Sequence, residues 1–157
     1  MSHPFVGEYR KCVAAGYRPD VSLGEAGVKG LGVFAGRDFK KDEAVEFCHS
    51  FVFEWQSKYQ RDAMVGKYCY GVNCHCAPGP NKPPCLLNCP ANGNRWVMPM
   101  GYGACYNSAE SEQEANAAWM IFIEHNLLVI AARTDISKGS EILTWFGQGY
   151  FDSWCKK

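Results

Sequence analysis

Ala117-Ala118-Trp119-Met120-Ile121-Phe122-Ile123 and Leu127-Leu128-Val129-Ile130-Ala131-Ala132 are two short apolar runs parted by the polar pair His125-Asn126. Runs of six or seven residues rich in β-branched and aromatic side chains predict strands, and the polar break predicts a hairpin turn between them. Working outward, Asp135 to Ser140 reads as a second turn leading into Glu141-Ile142-Leu143-Thr144-Trp145-Phe146. Toward the N-terminus, Trp96-Val97-Met98 and Ala44-Val45-Glu46-Phe47-Cys48-His49-Ser50-Phe51-Val52-Phe53 carry the same strand signal. Glu54 to Val65 predicts a short helix, with Trp55 and Tyr59 four apart on one face. Residues 1–22 form a polar-to-mixed lead-in. Many short strands joined by Gly/Pro turns predict a mainly β protein with few short helices. There is no internal repeat and no low-complexity tract.

Residues 66–95 change character. Gly71, Pro78, Gly79, Pro80, Pro83, Pro84, Pro90 and Gly93 punctuate them, so neither a helix nor a central strand should persist there. A loop of this length inside a compact domain must be tied down. Five of the nine cysteines fall between Cys69 and Cys89. An odd number of cysteines cannot close entirely into intramolecular bridges. Cys69 with Cys74, and Cys85 with Cys89, make two close pairs resembling a structural zinc knuckle, with His75 a substitute ligand. Zinc would turn binding energy into order for the loop. Free or packed thiols are the favoured reading of the set, as they are for Cys12, Cys48, Cys105 and Cys155.

Composition narrows the classes. The chain has 157 residues, 47% hydrophobic and 20% charged, which suits a single globular domain and excludes wholesale disorder. Sixteen basic residues balance sixteen acidic ones, which excludes nucleic-acid binding driven by a large net positive charge. No apolar run approaches the roughly 20 residues of a membrane span. The first residues lack the apolar core of a secretory signal, so an intracellular protein is expected.

Three segments bring together residue types that suit ligand chemistry. Gly30-Leu31-Gly32 permits close approach to the backbone, since no Cβ intervenes at either glycine. By itself it reads first as an ordinary tight turn, and it lacks the third glycine and following helix of a dinucleotide site. Met98-Pro99-Met100-Gly101-Tyr102-Gly103-Ala104-Cys105-Tyr106-Asn107-Ser108 offers small residues for tight packing and, in Asn107, a donor and an acceptor on one side chain. An Asn that satisfies nearby peptide groups is the plain alternative. Glu141 to Phe151, with Trp154 beyond, is dense in aromatic residues that would line an apolar channel or hold a cation, or else pack as core.

In this order along the chain, the segments resemble the SET domain, the fold of protein-lysine methyltransferases. Gly30-Leu31-Gly32-Val33-Phe34-Ala35 with Arg37-Asp38-Phe39-Lys40-Lys41-Asp42-Glu43 is similar to the family's opening glycine motif. Tyr102 to Ser108 is similar to the segment that ends in Asn-His-Ser in many members, and Arg133 to Thr144 to the closing motif. Trp145-Phe146-Gly147 is nearest to the PR branch of the family, where Trp-Tyr-Gly is usual. The resemblance covers about Val21 to Phe151 and implies a SET domain over 21–151. Residues 1–20 would then be a lead-in, 66–95 an insertion and 152–157 a short tail.

The resemblance implies small β-sheets with a C-terminal pseudoknot around Asn107 and Trp145. It also implies S-adenosylmethionine as methyl donor and a lysine-containing peptide or histone tail as substrate, reached through a narrow channel. Lys29, Gly30, Leu31 and Gly32 would hold the methionine end of the cofactor. Tyr106, Asn107 and Ser108 would contact its amino and adenine parts, and Phe151 or Trp154 would stack on the adenine. Phe146 stands where the family usually has a catalytic tyrosine. Loss of an oriented hydroxyl there removes rate, and Tyr102, Tyr106 or Tyr150 would have to replace it. The alternative is a catalytically silent SET module acting as a binding or scaffold subunit of a larger complex. Neither nucleic acid nor membrane is an expected partner, and a nuclear location is favoured over a cytoplasmic one. With no net charge, attraction of a basic peptide would fall to a local acidic rim, for which Glu110, Glu112, Glu114 and Glu124 are candidates, solvated surface being the alternative.

Overall fold

The computed structural model describes residues 3–54, 68–73 and 94–148. The predicted helix over 54–65 therefore lies almost wholly outside the described residues, as do Cys74, His75, Cys85, Cys89, Tyr150, Phe151, Trp154 and Cys155. The main body is a five-stranded antiparallel sheet in the order β4-β5-β3-β8-β7. Its strands are β3 (Ala44–Glu54), β4 (Tyr70–Asn73), β5 (Asn94–Pro99), β7 (Ala117–Phe122) and β8 (Leu127–Ala132). A hairpin of β1 (Val21–Glu25) and β2 (Leu31–Ala35) and a parallel pair of β6 (Asn107–Ser108) with β9 (Leu143–Thr144) complete it. The protein is mainly β, as the sequence predicts.

The hairpin that opened the sequence reading is β7–β8, in register from Ala117↔Ala132 to Phe122↔Leu127. A single 3₁₀ turn at Ile123–His125 joins the strands and ends at Asn126, whose φ of 47° is left-handed. All six residues of β8 are buried, because the strand is interior to the sheet and covered on both faces. Leu128 and Ile130 join the principal core with Val33, Phe39, Val97 and Ile142. Leu127 and Val129 face a second cluster built by helix α1 (Pro4–Ala14), which lies within the stretch read as a lead-in.

The helix has local causes. The His3 ring accepts from the Phe5 N–H at 3.3 Å, Pro4 stands in the first turn, and Gly16 at φ 73° follows the last. Val6, Phe5, Tyr9 and Cys12 then pack with Phe47. The β4 strand is an edge, consistent with a proline-rich flank that could not sustain a central strand. Instead of a long strand from Glu141 to Phe146, the chain makes an isolated bridge from Glu141 to Phe34 and the two-residue β9.

One irregularity matters for the site. The register of β3 against β8 shifts between Ala44 and Glu46, a bulge at Val45. Beyond it Phe47 faces α1, while Glu46 and Cys48 point into the protein beside the 100–106 turn. Among the described residues no helix is long and apolar enough to cross a membrane.

Candidate functional site

The parallel β6–β9 pair is where distant segments meet. Asn107 pairs with Leu143 and Ser108 with Thr144, and the Ala109 N–H donates to the Thr144 carbonyl at 2.7 Å. On this frame the Asn107 amide nitrogen donates to the Leu31 carbonyl at 3.0 Å and to Glu141 Oε1 at 2.8 Å. Lys29 Nζ lies 3.8 Å from Glu141 Oε2. The fit is tight at Gly32, where a Cβ would come within 2.6 Å of Glu141 Oε1 and 2.9 Å of Asn107 Nδ2. Gly30 holds φ at 80° and ψ at −125°, a region essentially reserved for glycine. The opening glycines, Asn107 and the closing motif thus form one junction.

Asn116 braces this junction. Its amide nitrogen donates to the Glu141 carbonyl at 2.8 Å and its oxygen accepts from the Leu143 N–H at 2.8 Å. Neither Glu141 nor Asn116 was named as a site residue from sequence. Glu141 stands inside the quoted closing motif, so a signal existed; Asn116 is a lone polar residue ahead of an apolar run, which marks nothing.

Beside the junction lies a cavity of about 120 Å³. Cys69, Tyr70, Ala104, Tyr106, Trp119 and Phe146 are among its lining residues. Tyr106 immediately precedes Asn107, and Phe146 follows Thr144 by two residues, so β6 and β9 tie cavity to junction. The Tyr70 ring stands 5.3 Å from both Trp119 and Phe146, inclined at 63° and 59°. Of the residues proposed to replace the missing hydroxyl, Tyr106 lines the cavity and Tyr102 does not appear among the lining residues. Tyr70 and Trp119 were read from sequence only as loop and strand; nothing local distinguishes an aromatic that faces a cavity from one in the core.

Glu46 organises the wall behind Tyr106. It is 2% exposed, accepts from the Tyr102 N–H at 3.0 Å, and accepts from the Tyr106 hydroxyl at 2.8 Å. Burial pushes its carboxyl above the usual range, outweighing these hydrogen bonds and a third from the Cys48 thiol. Burial likewise raises the Tyr106 phenol and the Cys48 thiol, so both stay protonated at neutral pH. The turn wraps closely round this carboxyl, since a Cβ on Gly101 (φ 75°) would lie 2.7 Å from Glu46 Oε1. The Tyr70 hydroxyl donates to the Gly103 carbonyl at 2.7 Å and pins the same turn from the cavity side.

Of the proposed zinc ligands, Cys69 is half-buried, lines the cavity and has its thiol raised by burial. No group of three or more His, Cys, Asp or Glu is placed to hold a metal among the described residues. Of the proposed acidic rim, Glu110, Glu112, Glu114 and Glu124 are all exposed, and Glu112 lies 3.8 Å from Arg133.

The SET-domain family model matches residues 30–147, three quarters of the chain, and the chain belongs to that family. No curated protein sequence matches it. Among solved structures, it resembles a Plasmodium falciparum protein described as a histone methyltransferase at 25% identity and a TM-score of 0.58. That match covers 88% of this chain and 99% of the other. ATXR5 in complex with mono-methylated histone H3.1 matches at 10% identity and a TM-score of 0.66, covering 94% of this chain and 67% of that one. The methyltransferase domain of human PR domain-containing protein 2 matches at 18% identity and 0.53, covering 89% and 85%. At those identities the last two speak for the fold.

Proposed function

We propose that this chain is an S-adenosylmethionine-dependent protein-lysine N-methyltransferase acting on a histone tail or another basic protein tail in the nucleus. The observation that supports it is the junction: Asn107 bonds to Leu31, 76 positions away, beside an aromatic cavity. The donor set suits the zwitterionic methionine end of the cofactor. Lys29 offers a cation for a carboxylate, Glu141 and the Leu31 carbonyl offer acceptors for an ammonium, and the Asn107 amide offers both. When bound, the cofactor supplies an electrophilic methyl group on sulfonium. Lys29, Gly30, Leu31, Gly32, Asn107 and Ser108 would hold and orient it, with Phe151 or Trp154 against the adenine.

The cavity would receive the lysine side chain and exclude water from it. A lysine ammonium has no lone pair, so the amine must shed its proton before it attacks. Neutral surroundings in the cavity disfavour the charged form and assist that loss. Tyr106, fixed by Glu46, would shape the wall, and most of the rate would come from alignment in a closed site. The substrate class follows the histone H3 peptide held by ATXR5 and the histone methyltransferase description of the Plasmodium protein.

Phe146 favours a second reading, a silent binding module within a larger assembly, because a phenyl ring stands where a hydroxyl would orient the amine. Calorimetry with S-adenosylmethionine, then transfer of labelled methyl onto a histone mixture, separates the two. Binding with transfer is expected. Binding without transfer, switched on by Phe146→Tyr, would favour the silent module, and no binding at all would overturn the transferase reading.

A further inference from the structure

We infer that Glu46 is the proton acceptor for the substrate amine, reached through the Tyr106 hydroxyl. The inference rests on the transfer reading only in taking the cavity as the lysine channel. An ammonium entering there finds no Asp, Glu or His among the described lining residues. Tyr106 connects that wall to a carboxyl behind it. It lines the cavity, and its hydroxyl donates to Glu46 Oε2 at 2.8 Å. A phenol that gives its one proton keeps a lone pair with which to accept another. The Tyr70 hydroxyl instead donates to the Gly103 carbonyl at 2.7 Å, and a peptide carbonyl takes up no proton at neutral pH. Of these two hydroxyls, only that of Tyr106 leads to a base.

The surroundings of Glu46 suit that task. The carboxyl is 2% exposed and takes three donors, the Tyr102 N–H, the Tyr106 hydroxyl and the Cys48 thiol. Three donors fit a carboxylate, which only accepts. Burial works against them and makes this carboxylate a stronger base than one in water. Tyr17, Cys48, Cys105 and Tyr106 are the titratable groups that act on it, from the N-terminal segment, β3 and the 100–106 turn. Burial keeps each of them protonated, so none carries charge at neutral pH. The step balances. One N–H bond of the ammonium breaks and its proton joins the Tyr106 oxygen, while the Tyr106 O–H bond breaks and that proton joins Glu46 Oε2. Amine and carboxyl are then both neutral, which removes two buried charges and leaves the amine a lone pair for attack. The proton leaves to water by the same route once the product has gone.

Difference infrared spectroscopy of the whole chain near neutral pH, on addition of Nα-acetyl-lysine amide, reads the carboxyl directly. One protonated-carboxyl band should be gained and one carboxylate band lost. Both changes should vanish in Glu46→Gln and in Tyr106→Phe, and persist in Tyr70→Phe. A carboxyl already protonated before the amide is added would overturn the inference. So would a carboxylate that stays ionised, unchanged bands in Tyr106→Phe, or a spectrum that does not respond to amide on the order of 10 millimolar. Methyl transfer across pH gives a second reading. Wild type should hold its rate through the neutral range, while Glu46→Gln depends on amine that is already free in solution. The deficit of the variant should therefore shrink roughly ten-fold for each pH unit, up to the amine pKa of about 10.4. A deficit constant with pH would make the carboxyl merely structural and overturn the inference. Protonation of Glu46 with no methyl transfer would overturn the transferase reading alone and leave this one standing.

Discussion

At the junction, Asn107 reaches Leu31 and Glu141 by directional bonds, and Gly32 leaves no room for even one added carbon. At the cavity, Tyr70, Trp119 and Phe146 meet by ring packing around open space. The two regions share the β6–β9 frame but differ in tolerance. A site that must hold a polar ligand in one pose is built from fixed donors and acceptors, while a site that must admit a side chain is built from surfaces. Changes at the junction should therefore be felt more sharply than changes of similar size at the cavity.

The largest effect should come from Gly32→Ala, whose methyl group would meet both Glu141 and Asn107. A loss of about 3 kcal/mol in denaturant unfolding is expected, with S-adenosylmethionine affinity lost in calorimetry. Asn107→Ala should follow, at about 2 kcal/mol for two donated bonds, one of them to a carboxylate. Tyr70→Phe keeps the ring and removes only the hydroxyl that serves Gly103, so about 1 kcal/mol is expected. If it proved as damaging as Asn107→Ala, the contrast between the regions would break.

A further variant reads as a slope. Burial raises the Glu46 carboxyl above its unfolded value, so the folded state favours the protonated form. The stability tied to this group is fully present below the ordinary carboxylate pKa and is lost as pH rises through the raised value. Glu46→Gln removes that titration. Wild type should lose stability relative to the variant as pH climbs above about 4.5, in denaturant midpoints measured across pH. The Tyr102 N–H, the Tyr106 hydroxyl and the Cys48 thiol face the carboxyl, and burial keeps the last two protonated, so none reverses the sign. Smallest of all is Lys29→Ala. At 3.8 Å and with a third of the lysine side chain exposed, its contact with Glu141 should be worth about 0.5 kcal/mol or less.

The same contrast explains what the sequence made legible. Apolar and β-branched runs marked β3, β7 and β8, most fully β8, because a strand covered on both faces must be apolar along its length. The junction was legible through Gly30, Gly32 and Asn107 because their order along the chain resembles the SET motifs; taken singly, each reads as a turn or a satisfied side chain. The helix at Pro4–Ala14 was not, because its apolar face is narrow: Val6 alone is fully buried and the rest of its contacts come from half-exposed rings. Tyr70 sits in a stretch dominated by cysteine and proline, yet pairs as an edge strand with β5. Glu46 looked like one charge in a strand, and only the bulge at Val45 turns it inward. Tyr70 and Trp119 were opaque as cavity residues for a simple reason, although Tyr106 and Phe146 were marked by the motifs that hold them. Packing against a space and packing against a core need the same side chains.

A crystal structure with S-adenosylhomocysteine bound tests most directly whether junction and cavity are two halves of one transfer site. The expected result places the amino acid end against Gly30–Gly32 and Asn107, with the sulfur at the mouth of the cavity lined by Tyr106 and Phe146. A ligand seated elsewhere, or with its sulfur turned away from those two rings, would contradict the account.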